Sequence, residues 1–139
     1  MKKSFLVLPL IAALFAVSAA HAASPTQVEG ATTVDASTAK ELFDRGVPFV
    51  DVRSANSYSD GHIPGAVHLN WAGGFGKAEL AKVAKKKREV VIYCSGYRCN
   101  RSSYACKKAV SWGYKKVYYF RDGYPGWKAA GYPVEEKSL

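Results

Sequence analysis

A short apolar run in the second half of the chain constrains the fold most strongly. The segment Glu89-Val90-Val91-Ile92-Tyr93 shows no polar/apolar alternation after its first residue, which is typical of a strand buried on both faces of a parallel sheet. Cys94 follows it directly, and a loop then leads into a stretch with helical periodicity, residues 101–112, before Gly113. A buried strand, a loop and a helix in this order predict an α/β unit.

The rest of the sequence alternates between strand and helix patterns. Short apolar runs bounded by turn residues predict strands at 48–52, 66–69 and 117–120, and amphipathic spacing predicts helices over 77–87 and 123–130 as well as one capped by Asp35 or Ser37. Because strands alternating with helices form parallel sheets, we predict an α/β fold with a central parallel sheet flanked by helices on both faces.

The N-terminus carries the features of an export signal. Lys2 and Lys3 precede an uncharged, mostly apolar stretch of about 13 residues, and Ala20-His21-Ala22 supplies small residues at the positions that signal peptidase reads. An uncleaved membrane anchor is the alternative, but spanning a bilayer takes roughly 20 apolar residues. We predict cleavage before Ala23, a periplasmic or secreted mature protein, and no stable membrane insertion after cleavage.

The mature chain of 117 residues, which is 139 less the 22 of the signal, has room for one domain. The predicted organisation is a signal peptide at 1–22, a flexible leader at 23–33, the domain at 34–135 and a C-terminal tail at 136–139. Without Lys2 and Lys3 the chain keeps 18 of its 20 Lys and Arg against 11 Asp and Glu, a net charge of +7. The chain lacks a nucleic-acid-binding motif, so we expect no nucleic-acid partner.

The mature chain has three cysteines, Cys94, Cys99 and Cys106. An odd number in an oxidising compartment leaves at least one thiol without an intramolecular partner. The histidines are not at ligand spacing from them, so no zinc site is predicted. Cys106 falls in the middle of the predicted helix after the loop, where core packing is the expected role.

Cys94 has the surroundings of a reactive cysteine. In an open α/β sheet, ligands bind at the carboxyl ends of the strands, and a loop leading into a helix can direct several backbone N–H groups at one anion. The nearby Arg98 and Arg101 would favour a thiolate at Cys94 over a thiol. The alternative is an inert buried thiol at a strand end.

Several short motifs together resemble the rhodanese-homology domain family. They are Val50-Asp51-Val52-Arg53, Tyr58 with Gly61-His62-Ile63-Pro64-Gly65-Ala66, Tyr93-Cys94, and Gly113-Tyr114 through Asp122-Gly123 and Trp127 to Gly131-Tyr132-Pro133-Val134. Each motif is weak alone, but their order along the chain is specific. The resemblance covers residues 34 to 134 and implies a rhodanese-like fold.

The resemblance also implies which residues act. Cys94 would be the sulfur-accepting nucleophile, without a dissociable cofactor or metal, and Asp51, Arg53 and His62 would support the loops around it. The loop after Cys94 would form the cradle for substrate and persulfide; its residues are Ser95, Gly96, Tyr97, Arg98, Cys99, Asn100, Arg101 and Ser102.

The active-site loop departs from the common family pattern. Common rhodaneses resemble Cys-x-x-Gly-x-Arg-Ser, whereas this loop is longer and resembles a subgroup with Cys-x-Gly-x-x-Cys-x-x-Ser. Related phosphatases resemble Cys-x5-Arg, and the sixth residue after Cys94 is Asn100, which disfavours that activity. Cys99 is left with three roles: a disulfide with Cys94, resolution of a Cys94 persulfide, or filling of the loop.

These observations lead to a predicted function with two alternatives. The resemblance implies a sulfurtransferase that moves sulfane sulfur from thiosulfate or a persulfide donor to a thiophilic acceptor through a Cys94 persulfide. The expected partners are a small sulfur-containing anion as donor and a thiol or cyanide-type acceptor. The alternatives are a periplasmic thiol–disulfide protein that uses Cys94 and Cys99, and a non-catalytic binding module.

Overall fold

The computed structural model describes residues 22–137, so the predicted signal peptide lies outside the described part of the chain except for its last residue. The elements are β1 (Ala31–Thr33), α1 (Ala36–Asp44), β2 (Phe49–Asp51), α2 (Ala55–Asp60), β3 (Gly61–His62), β4 (Val67–His68), α3 (Lys77–Val83), β5 (Glu89–Tyr93), α4 (Arg101–Ser111), β6 (Lys116–Phe120), α5 (Gly123–Ala129) and β7 (Glu135–Glu136).

The strands form the predicted central sheet. Its order is β1-β6-β5-β2-β4, and every pairing in it is parallel. Strand β5 lies in the middle, between β2 and β6, so the carboxyl end of β5 is flanked by two other strand ends. A second, two-stranded antiparallel sheet joins β3 to β7. The predicted fold class is confirmed.

Strand β5 is buried because both of its faces contribute to a hydrophobic core. Val90 and Ile92 pack in one cluster with Ala105, Cys106 and Ala109 of α4, and the intervening Val91 and Tyr93 pack on the other side in a cluster with Leu42 of α1 and Trp127 of α5. Neighbouring side chains of a strand point to opposite faces. The uninterrupted apolar pattern of β5 therefore reflects helices on both sides of the sheet.

Helix α3 ends four residues before the predicted boundary at residue 87. Ala84 is extended, with φ −146° and ψ 145°, and it is buried. Its carbonyl accepts a hydrogen bond from the Tyr114 hydroxyl at 2.9 Å, and the Lys86 carbonyl accepts one from the Lys115 N–H at 3.0 Å. These long-range bonds satisfy the carbonyls of the segment after Val83 without continuing the helix.

The predicted boundaries of the domain differ from the structure at both ends. Residues 31–33, assigned to a flexible leader, form edge strand β1 and pair with β6, and Val28 just before them is buried in the core. Glu136, assigned to the tail, pairs with Gly61 in the small sheet. The leader was misjudged because its small and polar composition does not reveal the partner strand.

No helix within residues 22–137 is long and apolar enough to cross a membrane.

Candidate active site

Cys94 lies at the carboxyl end of the central strand β5 and is 1% exposed. Its carbonyl accepts a hydrogen bond from the Tyr124 N–H at 3.0 Å. The preceding Gly123 has φ +60°, and a Cβ added to it would overlap the Cys94 carbonyl oxygen and lie 2.9 Å from the Gly96 nitrogen. The first turn of α5 therefore packs directly on the backbone that carries the cysteine, and only glycine fits there.

The structure joins Cys94 to Cys99 in a disulfide, with the two Cα atoms 6.3 Å apart. This distance is within the range that disulfides adopt. Of the three roles predicted for Cys99, the structure shows the disulfide with Cys94. Cys106 is free and fully buried in the core. Burial raises the pKa of the Cys106 thiol well above its ordinary value, so this third cysteine is a packing residue without thiolate character.

The loop between the two cysteines turns tightly and leads straight into α4. Gly96 has φ +103°, and its carbonyl accepts a hydrogen bond from the Cys99 N–H at 2.9 Å. Asn100 precedes α4 without a side-chain cap. The N-terminal N–H groups of an uncapped helix are available to an anion. Ser102, in the first turn, is buried, and its Oγ has no hydrogen-bond partner among the described residues.

A cleft of about 560 Å³ opens beside the disulfide. It is lined by Arg53, Ser54, Ser57, Trp71, Cys94, Ser95, Arg98, Cys99, Asn100, Arg101 and Tyr104. Three of these side chains are guanidinium groups, and none of the described lining residues is acidic. Because Arg53 is paired with Asp51, the net positive charge of the lining comes from Arg98 and Arg101. Such a cleft attracts small anions, because these cations lower the free energy of an anion bound there.

Asp51 and Arg53 form a buried ion pair behind the cleft. The Asp51 carboxylate accepts hydrogen bonds from Arg53 Nε at 3.1 Å and from Nη2 at 2.7 Å, and Nη2 also donates to the Gly61 carbonyl at 2.6 Å. Burial lowers the pKa of Arg53, but the hydrogen bonds and negative charge of Asp51 outweigh it and raise that pKa above its ordinary value. Arg53 therefore stays charged at one wall of the cleft.

Some residues of the predicted site lie away from the cleft. His62 bonds through its ring nitrogens with the Tyr58 carbonyl at 2.8 Å and the Glu135 carboxylate at 2.7 Å, which ties β3 to β7. Gly96, Tyr97 and Ser102 belong to the loop and helix but are not part of the cleft lining. Tyr97 is half exposed.

The segment before β1 holds the outer side of the loop. Ser24 is buried, and its N–H and hydroxyl both donate to the Tyr97 carbonyl, at 2.6 and 2.7 Å. Arg121 Nη2 donates in turn to the Ser24 carbonyl at 2.8 Å. The sequence pattern gave no signal for this contact, because residue 24 lies in a polar stretch remote from the loop in sequence.

Four cleft residues were also absent from the predicted site. Ser54 caps helix α2 by accepting a hydrogen bond from the Ser57 N–H at 3.2 Å, and both serines line the cleft. Trp71 and Tyr104 pack together with ring centroids 5.8 Å apart. Of these four residues, only Tyr104 could have been predicted from the sequence. It follows Arg101 by three residues in the predicted helix, so the two side chains lie on the same helix face.

Within residues 22–137, no cluster of three or more His, Cys, Asp or Glu residues could hold a metal ion. The groups that the site itself presents are the cysteine pair, the guanidinium groups of the cleft and the backbone N–H groups at the start of α4.

A cysteine at the end of the central parallel strand, in a basic loop before an uncapped helix, defines a class of α/β proteins suited to thiol chemistry on small anions. Residues 35–130 match the family described as the Rhodanese-like domain. This match spans more than half of the chain, and the chain therefore belongs to the rhodanese-like domain family.

Named relatives and solved structures agree with this assignment. The chain is similar to the thiosulfate sulfurtransferase GlpE of Coxiella burnetii, at 34% identity over 85 residues that cover 61% of this chain and 75% of the relative. It is 32% identical over 100 residues to GlpE of Pseudomonas fluorescens, covering 72% and 86%. The solution structure of the rhodanese-like domain from the Anabaena Alr3790 protein superimposes with a TM-score of 0.65 at 28% identity, covering 76% of this chain and 79% of that one.

Proposed function

We propose that the protein is a sulfurtransferase that carries sulfane sulfur as a persulfide on Cys94. The observation behind this proposal is the position of Cys94 at the carboxyl end of β5, in a cleft lined by three arginines. Two relatives named thiosulfate sulfurtransferase support the same activity. In the proposed reaction the Cys94 thiolate attacks the outer sulfur of thiosulfate, the S–S bond breaks, and sulfite leaves with the electron pair.

The cleft supplies two kinds of stabilisation for this step. Arg98 and Arg101 lie beside the cysteine and would bind the oxygens of the donor and of the departing sulfite. The uncapped N-terminus of α4 would favour the negative charge of the thiolate and of the persulfide. A thiol or cyanide-type acceptor would then attack the outer sulfur and regenerate the Cys94 thiolate. No proton acceptor is needed, because the thiolate itself is the nucleophile.

A second candidate function is thiol–disulfide exchange. The disulfide between Cys94 and Cys99 favours it, because a protein that cycles between dithiol and disulfide needs two cysteines within bonding distance. The two candidates make opposite demands on Cys99: sulfur transfer through Cys94 can proceed without it, whereas redox cycling cannot.

The disulfide predicts that sulfurtransferase activity depends on reduction. Oxidised protein has no Cys94 thiolate, so we expect it to take up no sulfur from thiosulfate and to form no thiocyanate from cyanide. Reduction should restore the reaction with thiosulfate and the formation of thiocyanate. Cys99→Ser, which cannot form the disulfide, should gain about 32 Da on Cys94 with thiosulfate and should form thiocyanate without any reductant. Intact-mass spectrometry and a thiocyanate assay test this prediction. A Cys99→Ser protein that stays unmodified by thiosulfate would contradict sulfur transfer.

We also propose that the protein is exported, on the basis of the positive, apolar and small-residue segments at residues 1–22. An oxidising compartment would also favour the Cys94–Cys99 disulfide. N-terminal sequencing of protein recovered from the cell envelope of the host should give Ala23 as the first residue. Recovery of a cytoplasmic protein that begins at Met1 would contradict export.

A further inference from the structure

Cys99 bonds to the atom of Cys94 that would carry a transferred sulfur. In the observed disulfide the Cys99 Sγ is joined to the Cys94 Sγ. In a Cys94 persulfide this same Cys94 Sγ becomes the inner sulfur, and the sulfur taken from the donor is the outer one. The position of Cys99 therefore directs it to the inner sulfur of the persulfide.

Contacts other than the disulfide keep Cys99 in this position. Its N–H donates to the Gly96 carbonyl at 2.9 Å, and its side chain packs against the hydrophobic core cluster that contains Cys94 and Ala105. Asn100, the next residue, leads directly into α4, whose buried face is part of the same core. Because this hydrogen bond and this packing do not depend on the disulfide, we expect the Cys99 thiol to remain beside Cys94 after reduction.

We propose that this pair makes the protein a thiosulfate-reducing enzyme that releases sulfide, an activity that rests on the Cys94 persulfide proposed above. The Cys99 sulfur attacks the inner sulfur of the persulfide and forms the Cys94–Cys99 bond. The bond between the inner and outer sulfurs breaks, and its electron pair leaves with the outer sulfur. The proton of the Cys99 thiol passes to that sulfur, which departs as hydrosulfide.

The atoms and electrons of this cycle balance with one further reactant. Thiosulfate and the Cys94 thiolate give sulfite and the persulfide anion, and the persulfide anion with the Cys99 thiol gives the disulfide and hydrosulfide. The two cysteines are oxidised by two electrons, and the sulfane sulfur is reduced. A dithiol of the thioredoxin type then reduces the disulfide by thiol–disulfide exchange and returns both thiols. The disulfide of the present structure is the product state of this cycle.

The rival fate of the persulfide is attack by an external acceptor on the outer sulfur. A thiol held on the same loop has an effective concentration at or above the millimolar range, and well-oriented intramolecular groups reach far higher values. Cys99 therefore outcompetes an acceptor at low concentration, and sulfide release is the default outcome. Cys106 takes no part, because its thiol is fully buried in the core and burial raises its pKa.

A single-turnover experiment tests the proposal. Full-length mature protein is fully reduced, freed of reductant without oxygen, and mixed with thiosulfate in the absence of cyanide or any added thiol. We expect the wild-type protein to release about one equivalent of sulfide per chain, measured by trapping with bromobimane, and to keep no added sulfur. Cys94 and Cys99 should then be joined in the disulfide and should no longer react with iodoacetamide. Cys106→Ser, the matched control at a third cysteine, should behave like wild type.

The same experiment with Cys99→Ser separates this inference from the function on which it rests. We expect that variant to keep about 32 Da of added sulfur on Cys94 and to release only background sulfide. If wild type instead retained the added sulfur, with Cys99 still open to alkylation and no sulfide released, the inference would be overturned while sulfur transfer stood. If Cys99→Ser gained no sulfur, both the proposed function and this inference would be overturned.

Discussion

Replacing Cys94 by Ser is expected to reduce the thiosulfate:cyanide turnover of the reduced protein to the uncatalysed background, a loss on the order of 10⁴-fold or more. A serine hydroxyl at this position would remain protonated, because neither the arginines of the cleft nor the N-terminus of α4 lowers its pKa enough to make an alkoxide at neutral pH. The persulfide also requires a sulfur atom at this position. Thiocyanate formation and the mass of the thiosulfate-treated protein are the measurements.

Cys99→Ser is the matched control for this experiment. Either substitution removes the same short-loop disulfide, whose loss costs about 2 kcal/mol of stability in the chain-entropy account. Compared with the oxidised wild-type protein, the two variants should therefore be destabilised to a similar extent, and only Cys94→Ser should lose sulfur uptake. Undiminished turnover by reduced Cys94→Ser would show that another residue is the nucleophile.

Replacing Gly123 by Ala is expected to damage both the fold and the active site. Adding a side chain at the positive φ of Gly123 costs about 1–2 kcal/mol. The new methyl group would also overlap the Cys94 carbonyl oxygen and lie 2.9 Å from the Gly96 nitrogen, and such overpacking typically costs about 1–3 kcal/mol more. Relief of the overlap requires movement of the backbone at Cys94. A displacement of about 1 Å at a reacting atom can lower a rate about 100-fold.

Gly131→Ala separates the conformational cost from the overlap. Gly131 has φ +79°, but nothing lies within 4 Å of a Cβ added there. Its substitution should therefore cost only the conformational free energy of a positive φ, about 1–2 kcal/mol. Sulfur uptake by the reduced protein should be unchanged. Chemical denaturation measures the stabilities, and the rate of persulfide formation reports on the site. Equal stability losses and equal rates in the two variants would show that α5 does not determine the position of Cys94.

The sequence alone determined the fold class and the position of Cys94 at the carboxyl end of the central strand. The apolar segment Val90–Tyr93 predicts a central strand because a short, β-branched run without alternation is typical of a strand covered on both faces, and the structure places helices on both sides of it. The carboxyl ends of parallel strands carry ligand sites. The order of strand, Cys94 and arginines along the chain was therefore enough to predict a candidate site at this position. These features could be predicted because they depend on neighbours along the chain.

Only the tertiary structure decided which distant groups complete the site. Short polar segments carry too little pattern to reveal a partner, so β1 and the contact of Ser24 with Tyr97 could not be predicted from composition. Ser54 and Trp71 line the same cleft as Cys94, although they follow other strands of the sheet, β2 and β4. The spacing of Cys94 and Cys99 permitted a disulfide without requiring one, because a segment with a separation of five residues can either form a tight turn or extend. The turn at Gly96 and the packing of Cys99 on the core bring the two sulfurs together.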